Sequence, residues 1–479
     1  MRISWVDVGI IVAYLAGITW FGVRFRKGQQ DIRDYFLGGR TAPWWALALS
    51  IVATETSTLT IIGTPALAFA SNLGFLQLVI GYLVGRVLLC VIFLPSYFRG
   101  EFYTAYQLIE NFFGEQARRV AAGTFLVTRA LAEGVRVAAI AKVVSVAFGE
   151  GGVSLWPVLA VMALTLVYTF EGGLKAVIWT DVLQLGIYLA GAGAAFVLLL
   201  GKIPGGWAEV SAVAGAAGKF QVFDFAFSLT KSYTFWSGLL GGTFLTMASH
   251  GTDQLMVQRL LAARSERDSR LALLASAVIV FAQFTLFLVL GVMLYVYNQH
   301  APLVAPGGDP DLILPEFVVR EMPAGLTGLF LAAVLAAAMS TTSGTLNSLA
   351  SSSVVDFAVR GGRDADAERF LRWSRQMTLV WGVVLGALAM VRWGPVLEAG
   401  LAIASITYGG LLGLFLLGIL NRRATTTGAL VGMFAGLAVM VAVKFGTPLA
   451  WTWYVLVGTG ATFAVGSVAS LFEKQMEHK

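Results

Sequence analysis

Apolar runs of about 20 residues recur along the whole chain, separated by charged or Gly/Pro-rich breaks. They predict an all-α polytopic membrane protein with about thirteen crossing helices. The spans fall near 4–24 (span 1), 42–70 (span 2), 73–98 (span 3), 119–148 (span 4), 154–170 (span 5) and 176–200 (span 6). After a polar loop come 233–258 (span 7) and 269–297 (span 8). A second polar loop, with Pro302, Pro306, Pro310 and Pro315, leads to 324–358 (span 9). Spans 10 to 13 lie near 372–392, 396–419, 425–445 and 450–472.

Span 9 breaks the apolar pattern most. Ser340, Thr341, Thr342, Ser343 and Thr345 follow an Ala/Leu-rich run. Hydroxyls in lipid need partners, so this face turns to protein, water or an ion. Neutral oxygens suit sodium. Close helix packing explains the same composition, because Ser and Thr can bond their own i−4 carbonyls. Two other spans carry interruptions: Gly63-Thr-Pro65 in span 2 and Ser249-His-Gly-Thr-Asp253 in span 7. Being five spans apart, they enter the membrane from opposite sides, as in inverted-repeat transporters with a site near the midplane. The alternative is a pair of ordinary kinked helices.

Composition supports the membrane reading. The chain has 479 residues, 57% hydrophobic and 13% charged, and its mean hydropathy is +0.78. Soluble domains carry about 25% charged residues. The net charge of +6 lies in short loops between spans and does not point to nucleic acid. Most of the 33 Lys and Arg residues fall on one side, including Arg24, Arg26, Lys27, Arg118, Arg119, Arg264, Arg360 and Arg363. The other side holds Arg2, Lys202, Lys219, Lys231, Arg320, Arg392 and Lys444. This bias puts the N-terminus outside and the C-terminus in the cytoplasm, in a cell inner (plasma) membrane. The first apolar segment lacks a small-x-small cleavage site and reads as a retained helix. The single Cys90 excludes an intrachain disulfide.

Ionisable residues inside the spans are candidates for function. Arg129, Glu133 and Arg136 share one face of span 4. Arg129 with Glu133 reads as a structural pair, which leaves Arg136 for an anionic ligand or for a partner on another helix. Lys142 can snorkel to the interface. Asp181 can pair with Lys175 or bind a cation. Glu55 lies among hydroxyls in span 2, either protonated or carrying a coupling charge. Asp253 can pair with Arg259. The histidines, His250, His300 and His478, have no metal-ligand spacing. No catalytic set, Walker A or Rossmann motif occurs, so the chain does not read as an enzyme.

Four stretches carry a resemblance: Gly172–Gln184, Gly251–Arg259, Ala336–Thr341 and Gly409–Gly418. On these the chain resembles the sodium:solute symporter family, which includes sodium-coupled sugar, proline and sialic acid transporters. The resemblance implies a leucine-transporter-like inverted repeat of five plus five helices. The segments would be 1–41 (an extra helix and cytoplasmic loop), 42–200 (first repeat), 201–232 (extracellular loop), 233–419 (second repeat) and 420–479 (two further helices). It also implies a sodium site made by the carbonyls of Ala53, Thr56 and Ala337 with the hydroxyls of Ser340 and Thr341. Some members hold a second sodium, which would fall on Asp181, Ser340 and Ser343 here. Gly344 departs from their pattern, because those members carry a hydroxyl there. Substrate contacts transfer to Ser57, Thr60, Gln77 and Arg136, with Thr246, Ser249 and His250 on span 7. Glu55 stands where compared branches have an amide.

The implied function is sodium-coupled symport of a small polar solute into the cell by alternating access. The solute would be carboxylated: sialic-acid-like, another organic acid or an amino acid. A sodium-coupled sugar symporter is the main alternative, ahead of a channel or a transporter-like sensor. Sodium is the expected coupling ion, with no other cofactor. The lipid bilayer and a small-molecule substrate are the expected partners, and a monomer would suffice for transport.

Overall fold

The computed structural model describes residues 3–25, 31–148, 155–303, 308–358, 367–389, 391 and 396–477. The Lys142 side chain lies outside them, as do Arg2, Arg26, Lys27, Pro306, Arg360, Arg363, Arg392 and His478. The elements in order are α1 (Trp5–Val23), α2 (Ile32–Leu37), α3 (Trp44–Glu55), α4 (Thr58–Ala70), α5 (Leu76–Ile92), α6 (Leu94–Tyr97), α7 (Tyr106–Phe148), α8 (Leu155–Lys202) and α9 (Gly206–Ala216). They continue with α10 (Gly242–Gly251), α11 (Gln254–Leu261), α12 (Glu266–His300), α13 (Ile313–Glu321), α14 (Leu326–Ser352), α15 (Ala367–Ala389), α16 (Val396–Leu420), α17 (Thr426–Gly446) and α18 (Tyr454–Glu477).

Spans 5 and 6 join as α8, which turns sharply at Gly173 (φ 55°, ψ −156°). That conformation is open to glycine and costly for other residues. Span 2 is two helices, α3 and α4, bent by 64°. The break is at Thr56–Ser57 and not at the expected Gly63–Pro65. Pro65 sits inside α4, because a proline removes one ladder hydrogen bond and kinks a membrane helix without ending it. Span 7 breaks between α10 and α11, at Thr252–Asp253.

Among the described residues seven helices are long and apolar enough to cross a membrane, or eight counting the bent α3–α4 pair as one. Of the other expected spans, α5 is short at 17 residues, and α7 carries Arg129, Glu133 and Arg136.

The centre of the protein is α14. Every residue from Phe330 to Ser352 is buried. It packs against α8, α1 and α7. Helix α1 is peripheral: only 17% of its apolar window is buried. Asp7 anchors its start, with Oδ1 accepting from Gly325 N (2.8 Å) and Gly328 N (2.7 Å) at the start of α14.

Candidate functional site

At the Thr56–Ser57 break the helical ladder is interrupted. Ser57 N donates to Thr60 Oγ1 (3.3 Å) and Thr60 N donates to Ser57 O (2.9 Å). Neither amide closes on the carbonyls of Ala53 and Thr56, which would accept them in a continuous helix. The C-terminal carbonyl end of α3 and the N-terminal amide end of α4 therefore meet at one point, with opposite partial charges.

A cavity of about 200 Å³ opens beside this break. Thr54, Glu55, Ser57 and Thr60 line it from the break, Arg129 and Arg136 from α7, Thr246, Ser249 and His250 from α10, and Ser405 and Tyr408 from α16. Aromatic side chains Phe75, Tyr82, Tyr233, Phe284 and Trp451 complete the wall. They touch one another: Phe75 against Tyr233 and Phe284, Tyr82 against Phe284, Tyr233 against Trp451.

Three ionic groups frame the cavity. Glu55 pairs with the buried Arg86, and His250 Nε2 lies 3.3 Å from Arg86 Nη2 and 3.7 Å from Glu55 Oε2. Ser249 Oγ holds the other ring nitrogen at 2.9 Å. Asp253 caps α11 by accepting from Leu255 N (2.9 Å), and its second oxygen accepts from Tyr408 (2.7 Å) and Arg129 (3.3 Å). Glu133 accepts from Thr342 (2.9 Å) and Thr345 (3.1 Å), and from Arg136 only at 3.4 Å. The Arg136 side chain is 28% exposed, whereas Glu133 is 1% exposed. Arg136 is thus a loosely held guanidinium facing open space.

These contacts change several expectations. Arg129 pairs with Asp253 and not with Glu133, because α10–α11 brings an acid to it from another helix. Arg259 pairs with Asp181 (2.9 Å) and not with Asp253, and Lys175 is not the partner of Asp181. Thr342 and Thr345 do more than pack, since both donate to Glu133. Gln77 is not in the cavity wall. Its amide donates to Gly74 O (3.1 Å) and Tyr233 O (3.2 Å) and accepts from Asp224 N (2.9 Å), fastening the start of α5 to the segment between α9 and α10. Ser57, Thr60, Arg136, Thr246, Ser249, His250 and Glu55 do line it.

Asp181 is the hub behind the break. Ser50 (2.5 Å) and Thr54 (3.4 Å) of α3 donate to Oδ2, and Ser340 of α14 donates to Oδ1 (2.7 Å). Arg259 Nη2 donates to Oδ2 and its Nε to Ser50 Oγ (2.9 Å). One carboxylate thereby holds Ser340 against α3, next to the freed carbonyls. Thr341 Oγ1 donates to Ala337 O (3.1 Å), leaving the hydroxyl's lone pairs free. These carbonyls and hydroxyls are neutral oxygens, the donor type that suits sodium. Ser343 likewise donates along its own helix, to Ser340 O (3.0 Å). Sequence reasoning missed Ser50, Thr54 and Arg259 as partners of Asp181, because their sequence separations of 131, 127 and 78 leave no local spacing to read.

A bent helix at one break, a second break five spans on, and a cavity lined from both are the features of a multi-pass secondary transporter of the inverted-repeat type. The chain belongs to the sodium:solute symporter family, whose description matches residues 35–436. It is 29% identical over 480 residues to the sodium/sialic acid symporter SiaT of Proteus mirabilis, covering 98% of this chain and 95% of that protein. It is 32% identical over 454 residues to sodium-coupled monocarboxylate transporter 1 of Homo sapiens, covering 92% and 71%. A solved structure of a Na+-coupled sialic acid symporter, substrate-bound and outward-open, superposes with a TM-score of 0.89 at 27% identity, covering 98% of each chain. The protein is therefore a transporter and not an enzyme, with the leucine-transporter-like fold. It is a multi-pass plasma membrane protein. Sodium is its coupling ion, and it carries a small-molecule solute.

Proposed function

We propose that this chain imports a small carboxylated solute together with sodium, and that Arg136 receives the carboxylate. The observation that carries this reading is the state of Arg136: in the cavity wall, partly exposed, and held by Glu133 only at 3.4 Å. The N-terminus of α4, with Ser57 and Thr60, faces the same space. The positive dipole end of that helix favours an anion. The relatives named for sialic acid and for monocarboxylates both carry a carboxylate, and an amino acid or other organic acid offers the same group. Glu55, neutralised by Arg86, is a polar contact at the other side of the cavity. Thr246, Ser249 and His250 supply further hydrogen bonds.

Sodium binds between Ala53 and Thr56 of the first repeat and Ala337, Ser340 and Thr341 of the second. An ion there ties the broken helix to α14 and stabilises the arrangement in which the α4 N-terminus faces the solute. Each ligand then raises the affinity of the other, by about 1–3 kcal/mol in typical coupled sites. The proposed segments are 1–41, 42–200, 201–232, 233–419 and 420–479, with the N-terminus outside, the C-terminus inside and a single chain as the working unit. Asp7 joins the start of α1 to the start of α14, so the two lie on the same side of the bilayer.

The test is uptake of a panel of radiolabelled carboxylates, sugars and amino acids into proteoliposomes, with and without a sodium gradient. A carboxylate is expected to accumulate only with sodium, and Arg136→Ala to abolish its uptake. Full transport by Arg136→Ala places the carboxylate elsewhere.

A further inference from the structure

Whatever the solute, we infer that the segment 222–229 is a bilayer anchor: a non-helical strap whose phenylalanines sit in the bilayer–water interface, with phospholipid as their partner. Phe223, Phe225, Phe227 and Leu229 place a large apolar side chain at every second position. They are 46%, 64%, 68% and 50% exposed. The strap is nevertheless held firmly. The Asp224 main chain is bound on both sides, its N–H donating to Gln77 Oε1 (2.9 Å) and its carbonyl accepting from Phe235 N (2.7 Å). Ser228 O accepts from Trp453 Nε1 (3.2 Å), and Leu229 O from Ala450 N (2.8 Å). These backbone groups are thus satisfied by protein, as irregular chain beside lipid requires. A chain pinned in this way keeps its rings turned outward.

The same bonds set the depth of the strap. Gln77 lies in the first turn of α5, Phe235 opens the helical run that leads into α10, and Ala450 and Trp453 directly precede α18. The strap is therefore level with the starts of three apolar helices, the depth at which aromatic side chains settle among lipid headgroups. Its rings also continue a surface that faces lipid. Phe223 stacks on Phe225 (5.6 Å), Phe225 meets Phe235 (5.1 Å), and Phe235 meets Trp236 (5.4 Å). Trp236 and Leu240 stay exposed on the apolar run into α10. Lys231, 66% exposed and 3.6 Å from Asp224 Oδ2, gives the strap a polar edge toward headgroups and water. Tyr233, between the strap and α10, lines the solute cavity. The anchor thereby holds one wall of the cavity at a fixed depth.

Site-directed spin labelling of the full chain in phosphatidylcholine nanodiscs tests this. Cys90 is the single cysteine, so Cys90→Ala gives a background without thiols. A nitroxide is placed at Phe225→Cys, at Phe227→Cys and, as a water reference, at Thr230→Cys. Oxygen concentrates in the bilayer and a nickel chelate in water, so the ratio of their collision rates reports the surroundings of each label. Labels at 225 and 227 are expected to meet oxygen more than chelate, and the label at 230 the reverse. A benzophenone amino acid in place of Phe227, which keeps an aromatic ring there, is expected to form a photoadduct of phospholipid mass. Chelate exceeding oxygen at 225 and 227 puts the rings in water and overturns the inference. Low collision rates with both reagents mean that protein covers the strip, and overturn it equally. So does a photoadduct of twice the chain mass, which identifies a second copy as the occupant.

Discussion

Asp181–Arg259 and Glu133–Arg136 are both acid–arginine pairs inside the helical bundle, yet they are built for different work. The first is sealed: both side chains are fully buried and the ion pair is 2.9 Å long. The second is open on one side, with an arginine 28% exposed and 3.4 Å from its acid. Glu133 does not depend on Arg136, because Thr342 and Thr345 also satisfy it. A sealed pair fixes structure and leaves no room for a ligand. An open pair can release its arginine to a carboxylate at small cost.

The largest effect expected from this comparison comes from breaking the sealed pair on one side. Asp181→Asn leaves a buried guanidinium without its counter-charge, and should lower stability by about 3–5 kcal/mol. Asp181→Asn/Arg259→Met removes both charges and should recover most of that loss. Thermal unfolding in detergent measures both. A double variant as unstable as the sum of its singles would show that the two residues do not act as a pair. The open pair should behave oppositely. Arg136→Ala should cost about 1.5–3 kcal/mol of solute binding, roughly ten- to hundredfold in affinity, with little change in unfolding temperature. Equal losses in stability and binding would erase the distinction between the two pairs.

Sodium binding should be sensitive at an intermediate level. Ser340→Ala/Thr341→Ala removes the two hydroxyls proposed as ligands while leaving the three proposed carbonyls. The half-saturating sodium concentration should rise by about tenfold, equivalent to about 1.4 kcal/mol. Unchanged half-saturation in proteoliposome uptake would remove both residues from the ion site. Ser340 also donates to Asp181, so a modest fall in stability should accompany the double change. Thr341→Ala alone should affect sodium and spare Asp181.

The legibility of these features follows their physics. The spans were readable because burial in lipid demands long apolar runs, and α12, α14, α16 and α17 lie close to the expected bounds. The Thr252–Asp253 break was readable from its polar interruption. The Thr56–Ser57 break was harder to place: it has neither glycine nor proline, and Pro65 drew attention to the wrong turn. The hydroxyls of α14 were visible as a cluster, but their partners were not. Ser340 turns to Asp181, while Thr342 and Thr345 turn to Glu133. Which face of one helix meets which neighbour is a three-dimensional fact. The same limit explains Gln77, which the family resemblance offered as a substrate contact although its three hydrogen bonds all serve the protein.

A third class of ion pair sets the lower end of the scale. Lys202, the last residue of α8, and Glu321, the last of α13, meet at 2.8 Å with side chains 34% and 24% exposed. They lie at helix ends, partly exposed, where water and salt screen them. The hydrogen bond from Lys202 is the main influence holding the Glu321 carboxyl below its ordinary value. An acid with a lowered folded pKa contributes stability above the ordinary glutamate value of about 4.3, and loses it as pH falls through the folded value. The pair is exposed enough that its worth is about 0.2–1 kcal/mol. The protection of α13 amides, exchange relative to the unstructured rate at the same pH, should therefore be highest at neutral pH and fall slightly on acidification. Lys202→Ala should reduce that acid response, and salt at about 1 M should do the same to the wild type. Equal salt sensitivity at Asp181–Arg259 would mean that water reaches the sealed pair, and would erase its contrast with the exposed one.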